Sequence, residues 1–492
     1  MRSKVSRRDF IKMTTVGGAG AAAMLAAYGP ANAFVKLPKK WDVDVDIVCV
    51  GAGGAGLAAA VEAAAKGAKV VVLEKTPAMG GSSLICGGAL AFAGTDYQAE
   101  KGVKDSTDLL HKDLMKVGEN VNDPVMVKAY LDNQLDTYKW LKSLGVKING
   151  LGIASGMSVP RSHYVTPKDV IKILSDAAVA KGAKILPGTA ATRLVVDEKT
   201  GKIRGVLVEK GSRKIYYGAK KGVILSSGGF SRNKELLAKF VPPMAKAKVL
   251  VGLGCQGDGL KMAWSSGADI QDMPYIKATF GFDTEASSMS EFALVYYKGA
   301  IIVNKEGKRF VNESISYKLV GDVALTQPDA IGYQIYDAAI REEANKDQLA
   351  RTETLEKKGR IKQAATIGEL AKAIGIAPQV LENTVREYNA NVEKGADPQY
   401  GRKTLVAAFG KPVKIDKAPF YAMVSTAYIL GTYGGIRVNE KAQVLNIYGE
   451  VIPGLYGAGE ILGGVHGAAY MTGTAFGKAL IFGRLAVKSM LS

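Results

Sequence analysis

The segment Asp44-Val45-Asp46-Ile47-Val48-Cys49-Val50 ends in a short apolar run, the pattern of a buried parallel strand. Gly51-Ala52-Gly53-Gly54-Ala55-Gly56 follows, then an alanine-rich stretch that predicts a helix over 57–66. A second apolar run over 69–73 stops at Glu74-Lys75. Downstream, polar and apolar positions predict a long helix over 123–144 and strands over 184–186, 191–196, 203–209 and 223–226. From about Gln271 to Ile429 the texture changes to more Tyr, Lys, Glu and Gln, with a helix expected around 379–392. The last segment, Gly454 to Leu485, packs small residues before a helical pattern.

The first strand, helix and second strand form a βαβ unit carrying G-x-G-x-x-G at Gly51, Gly53 and Gly56, with an acidic residue 18 positions after the last glycine. Such glycines permit a tight turn and let a pyrophosphate approach a helix N-terminus, while Glu74 accepts hydrogen bonds from an adenosine ribose. Further loops stand at strand ends: Met79-Gly80-Gly81-Ser82-Ser83, Ser226-Ser227-Gly228-Gly229-Phe230 and Cys255-Gln256-Gly257-Asp258-Gly259. Repeated glycine loops of this kind point to one extended dinucleotide, FAD, crossing a single domain. The expected cofactor contacts are Gly51, Gly53, Gly54, Gly56, Glu74, Lys75, Gly81, Ser82, Ser83, Ala191, Gly228, Asp258, Gly473 and Ala475, to which the family resemblance given below adds Glu460. The fold class expected is α/β: a Rossmann-like, glutathione-reductase-like FAD-binding domain with an inserted α+β capping domain. Its predicted parts are a leader over 1–33, FAD-binding segments over 40–270 and 430–492, and a cap over 271–429.

Residues Ser6-Arg7-Arg8-Asp9-Phe10-Ile11-Lys12 precede a weakly apolar Gly/Ala-rich run that ends in Ala31-Asn32-Ala33. This has the form of a twin-arginine export signal cleaved after Ala33, which predicts a periplasmic mature protein without an integral membrane segment. That route carries proteins already folded, often with cofactor inserted. The chain's 492 residues have a formal net charge of +19, of which the leader carries +4, leaving +15. The lysines are scattered rather than grouped with aromatics, so an acidic redox partner suits this surface better than nucleic acid. Three cysteines without a C-x-x-C pair and three histidines argue against structural disulfides, zinc, iron–sulfur clusters, attached haem or any metal centre.

The order of motifs resembles the flavoproteins related to fumarate reductase, flavocytochrome c and 3-ketosteroid dehydrogenase, across nearly the whole chain after the leader. The marks are the GAGGAG turn with Glu74, the GGSS loop, SVPRSH (158–163), SSGGF, GDGLKMA (257–263), GKRFVNE (307–313), GLYGAGE and the terminal helix. The resemblance implies a substrate held between FAD domain and cap, with Glu460 at the ribityl region and the terminal helix aimed at the flavin. It also implies two histidines and two arginines clamping a dicarboxylate, and here those positions read otherwise. Tyr317 falls nearest the proton donor's place, Met273-Pro274-Tyr275 stands for HPT, Gly431-Thr432-Tyr433-Gly434-Gly435 for HTMGG, and Tyr470 replaces the second clamp arginine.

Loss of these cationic groups makes fumarate a poor fit. In the ketosteroid dehydrogenases similar tyrosines act, and the resemblance gives Tyr317 as acid/base and Tyr470 with the Thr474 N–H as a carbonyl hole. Tyr275, Phe280, Phe282, Tyr296 and Tyr297 are candidates to wall the cap side, with ordinary core packing the alternative for each; Arg161 and His163 are candidates to position flavin or substrate, and His466 either touches the flavin or is a buried histidine bonded to backbone. The expected activity is FAD-dependent reduction of a C=C bond conjugated to a carbonyl, on a neutral enone or similar small molecule, with electrons from a separate c-type cytochrome or quinone-linked partner. Three alternatives are a ketosteroid-type dehydrogenase running in reverse, a fumarate- or acrylate-type reductase with altered carboxylate binding, and a flavin electron carrier without a substrate.

Overall fold

The computed structural model describes residues 35–492 apart from 155, 348 and 407–409; the expected leader over 1–33 lies outside the described residues. Strand β1 (Val43–Val50), helix α1 (Gly54–Ala65) and strand β2 (Val70–Leu73) form the anticipated βαβ unit, in parallel register with Ile47 beside Val70 and Val50 beside Leu73. From Ile47 onward in β1 and throughout β2 both faces are buried, which is why these apolar runs are continuous rather than alternating. Helix α2 (Pro124–Ser143) starts where Asp123 accepts the Val125 N–H at 2.9 Å and proline occupies the first turn. Strand β3 (Lys184–Leu186) extends the parallel sheet beyond β2.

A meander follows: β4 (Ala191–Val196), β5 (Ile203–Lys210) and the long β6 (Arg213–Leu225) pair antiparallel in turn, and the end of β6 then lies parallel to β1. The predicted strand over 223–226 is thus the end of a strand that begins ten residues earlier, hidden in the sequence by its polar first half.

The second layer is a six-stranded sheet. Its members include β7 (Ile276–Phe282), β8 (Ile301–Val303) and, after helix α3 (Tyr317–Ala324), β9 (Ile331–Asp337) and the central β10 (Phe420–Thr432). Two short strands complete it, Ile361–Ala364 and Lys248–Val249, the latter contributed from before the cap region expected over 271–429. The cores of the two layers meet along β7 and β10. Ile276, Ala278, Ala427 and Ile429 pack into the first core, and Phe280, Ala422 and Met423 into the second.

The chain returns to the first sheet as β11 (Val451–Gly457), parallel to β6, and closes with helix α4 (Thr474–Met490). Helix α4 lies so close to α1 that a Cβ on Gly483 would stand 2.3 Å from the Ala55 carbonyl oxygen. Arg484 fastens it there, donating to Glu62 at 3.0 Å and to Thr137 of α2 at 3.1 Å. None of the helices among the described residues is long and apolar enough to cross a membrane.

Candidate active site

A single cavity of about 700 Å³ runs from the carboxyl ends of β1 and β2 to the underside of the second layer. One end is lined by Gly51, Gly53, Gly54, Glu74, Lys75 and Ala191, the middle by Gly81, Ser82, Ser83, Gly228 and Asp258, and the far end by Glu460, Ala475 and a group of tyrosines. Thirteen of the fifteen expected cofactor contacts therefore face one space. The exceptions are Gly56 and Gly473, which act from behind it. A Cβ on Gly56 would lie 1.9 Å from the Gly51 carbonyl oxygen, so this glycine sets how tightly the loop folds over α1. Gly473, at φ +90°, caps α4 in the left-handed region, and a Cβ there would meet the Ala91 nitrogen at 2.7 Å.

The cavity suits a dinucleotide on its own geometry. Gly51 has φ +107°, and a Cβ there would be 2.6 Å from the Ser226 carbonyl oxygen, so only a bare backbone lets the β1 loop and the Ser226–Ser227 loop converge on the space. Glu74 accepts the Ala52 N–H at 3.0 Å and the Thr76 N–H at 2.8 Å, which fixes its carboxylate at the edge of β2. Lys75 and Asp258 close the rim as an ion pair of 2.5 Å. The Gly81 loop begins a one-turn helix (Gly81–Ile85) in which Ser83 accepts the Gly54 N–H at 3.1 Å and Ser82 accepts the Gly252 N–H at 3.1 Å. Along the lining, Ser227 Oγ, Thr279 Oγ1 and Tyr433 Oη are buried hydroxyls without a protein partner among the described residues. Buried hydroxyls in that state call for a polar ligand. Helix α4 presents Ala475, Phe476 and Lys478 from its first turn to the same space.

At the far end, Tyr317 begins α3 and its hydroxyl lies 3.0 Å from Thr472 Oγ1. Burial pushes the Tyr317 phenol well above its ordinary value, with the nearby Tyr470 adding to the shift, so it stands protonated. Tyr470 sits 6.4 Å from it, ring centre to ring centre, and its hydroxyl oxygen accepts the Gly473 N–H at 2.8 Å. That bond leaves the Tyr470 proton free to donate. His466 packs edge-on to Tyr470 at 5.4 Å and is held neutral by burial, reinforced by the charges of Lys478 and Lys277.

Four expectations are corrected here. The Thr474 N–H points at the Met471 carbonyl oxygen, 3.2 Å away, and the residue is fully buried off the cavity, so it does not complete a carbonyl hole. The donor that sits beside Tyr470 is the Gly473 amide. Arg161 is locked between Asp105 and Asp113 at 2.7 Å each, and His163 between Thr95 and the Arg161 carbonyl oxygen; neither lines the cavity. The aromatic wall is built from Tyr164, Phe292, Tyr433 and Phe476 instead of Tyr275, Phe280, Phe282, Tyr296 and Tyr297. Phe280, Tyr296 and Tyr297 belong to the core of the second layer. Finally, the cavity holds cations. Lys277 Nζ lies 3.8 Å from the centre of the Tyr470 ring, and Lys478 lines the floor. The signal for Lys277 was alternation: in β7, Ile276, Ala278, Phe280 and Phe282 are fully buried, while Lys277 and Thr279 between them face the cavity.

Lys478 is wholly buried and donates to the Leu462 carbonyl oxygen at 2.9 Å. Burial pushes it down to about 8 from an ordinary 10.5, with Glu460 and Asp272 opposing that fall. Between these two pH values the unfolded chain holds a proton that the folded chain has released, so stability rises with pH across the window; below about 8 the full penalty is present. Urea titrations from pH 8 to 10.5 should show wild type gaining on Lys478→Met by about 3 kcal/mol. A pH-independent difference contradicts the assignment.

Fold and cavity together define a flavin-dependent oxidoreductase whose cavity ends beneath the second sheet. The chain belongs to the family described as FAD binding domain, whose model matches residues 46–475. It is 37% identical over 448 residues to a fumarate reductase (cytochrome) of Shewanella frigidimarina, covering 90% of this chain and 76% of that one. Among solved structures it resembles the open conformation of a flavocytochrome c3 fumarate reductase, with a TM-score of 0.77 and 28% identity over 100% of this chain and 83% of that one. It is equally similar to 3-ketosteroid-delta4-(5alpha)-dehydrogenase from Rhodococcus jostii RHA1 in complex with 4-androstene-3,17-dione. That match has a TM-score of 0.78 and 26% identity over 93% of this chain and 100% of that one. The protein is an FAD-dependent oxidoreductase acting on CH–CH or C=C groups, related to both lines.

Proposed function

We propose that the protein is an exported, periplasmic reductase of C=C bonds conjugated to a carbonyl, fed with electrons by a separate c-type cytochrome or quinone-linked partner. The observation that carries this reading is the placement of Tyr317 and Tyr470 at one end of the same cavity as the dinucleotide cradle. Gly51, Gly53 and Gly54 would hold the pyrophosphate of FAD, Glu74 its ribose, Ser82, Ser83 and Gly228 its central part, and Glu460 and Ala475 its flavin end. When bound, FAD would supply the hydride that the acceptor's double bond takes up at its β-carbon. Tyr470, its oxygen held by the Gly473 amide, donates to the substrate carbonyl and polarises the double bond. Tyr317 delivers its proton to the α-carbon, and Thr472, bonded to it, orients the phenol.

Burial keeps the Tyr317 phenol protonated, the form from which a proton donor starts. The charge of the chain, +15 without the leader, suits docking of an acidic electron donor.

The test is anaerobic mixing of the FAD-loaded protein, reduced with viologen, with enones, lactones and acrylates. Flavin reoxidation with conjugated acceptors is expected, and silence across the panel contradicts the reading.

A further inference from the structure

The sequence expectation of a cavity emptied of cations made its substrate neutral, and Lys277 changes that. Its ammonium lies against the Tyr470 ring, and among the described residues no carboxylate comes within ion-pairing distance of it. Lys277 is half-buried, and an aromatic face offsets only part of the cost of drawing its ammonium partly out of water. Next to it, Tyr433 stacks on Tyr470 with ring centres 6.2 Å apart, and its hydroxyl is buried without a partner among the described residues. The Tyr470 hydroxyl has its proton to give. A cation and two phenol donors therefore border one part of the cavity; none of the three has a direct anionic partner among the described residues, and the Lys277 charge reaches the buried Glu460 only at longer range.

The second cation does not extend this subsite. Lys478 donates to the Leu462 carbonyl oxygen, and its charge acts on the buried Glu460. On the second-layer side the other walls are Met289, Phe292, Leu294 and Leu349, with Thr279 and Ser287 as neutral polar groups, and Arg232 is turned to the Val251 carbonyl oxygen. A second carboxylate would meet no free cation on these walls.

We infer that Lys277, with the hydroxyls of Tyr433 and Tyr470, forms a subsite for a single carboxylate, so that the preferred acceptor is an α,β-unsaturated monocarboxylate rather than a neutral enone or a dicarboxylate. The inference rests on the reading of this cavity as the place where a conjugated C=C bond is reduced. Lys277 sets specificity by neutralising the carboxylate, and the proton still comes from Tyr317.

The test compares crotonate and trans-cinnamate, each beside its methyl ketone, and fumarate, using viologen-reduced, FAD-loaded protein. The wild type should favour the monocarboxylates over their ketones and over fumarate. Lys277→Met should lower the carboxylate-to-ketone ratio of kcat/KM by about 10- to 100-fold, chiefly through KM, and Lys277→Arg should restore most of it. Preference for the ketones or for fumarate in the wild type, or an equal loss on both acceptor types in Lys277→Met, overturns the subsite while leaving C=C reduction intact. If no acceptor is reduced, C=C reduction falls, and calorimetric titration with butyrate and 3-phenylpropanoate decides the subsite separately. Binding to wild type that weakens in Lys277→Met supports it, and absence of binding to wild type overturns it.

Discussion

Replacing Tyr317 with phenylalanine should lower kcat by about 10²- to 10⁴-fold while the protein keeps its FAD, because a positioned general acid contributes on that scale. The substitution removes one oxygen from a side chain whose ring remains packed in the second core, so neither layer loses its fit. What is lost is the proton that burial keeps on the phenol and its bond to Thr472. Tyr317 is not among the residues that would hold FAD, so the variant should keep its bound flavin and the visible spectrum that reports it. Steady-state rates with reduced viologen check the first part and flavin content the second. A variant with most of its activity removes Tyr317 from the chemistry and returns the choice of proton donor to Lys277 and Tyr433.

A large loss of stability is expected from Glu313→Ala. Glu313 is fully buried and binds Arg309 through both oxygens, at 2.8 and 2.7 Å, while the Arg402 guanidinium lies 3.4 Å away and the Ile302 N–H donates at 3.2 Å. Arg309 is shared with Asp397 at 2.9 Å, and Arg402 also donates to the carbonyls of Ala300 and Tyr296. Removing the central carboxylate leaves two buried guanidiniums with one carboxylate between them, which costs about 3–5 kcal/mol. The network lies four residues before Tyr317 and fixes where α3 begins, so the defect should reach the site as well. Urea denaturation measures the first effect, and hydrogen exchange over 276–337 should show the loosening concentrated in the second layer. A loss below about 1 kcal/mol is the value typical of an exposed pair and contradicts this account.

The parts of the site that could be read from the sequence are those set by local backbone. The Gly51 loop needs a positive φ and a bare Cα, and Glu74 ends the adjacent strand, so motif and spacing suffice to place them. Tyr470 was legible because it stands three residues before the glycine that caps α4. Thr474 was misjudged for a related reason: whether an amide in the first turn of a helix is free depends on the preceding turn, and here Met471 folds back to accept it. Lys277 and the aromatic wall depend on long-range pairing. Ile276 lies beside Thr432 across β7 and β10, more than 150 residues apart, and that pairing decides which side of β7 faces the flavin domain. Phe280 and Phe282 share the opposite side with Ile276 and Ala278, so their bulk fills a core instead of a pocket. Lys248–Val249 joins the second sheet from outside the region whose composition marked it, because two residues carry no compositional signal.

The central claim is that this cavity reduces a conjugated C=C bond with Tyr317 as the proton source. Its most direct test is a single turnover in D2O: FAD-loaded protein, reduced anaerobically with one equivalent of electron pairs, is mixed with crotonate and the product analysed by NMR. The account predicts butyrate carrying one deuterium at the α-carbon, from the solvent-exchanged Tyr317 phenol, and one at the β-carbon, from the equally exchangeable flavin N5 position, formed in step with flavin reoxidation in wild type and at least about 100-fold more slowly in Tyr317→Phe. Flavin that stays reduced, or an α-deuterated product formed at the same rate by both proteins, contradicts it.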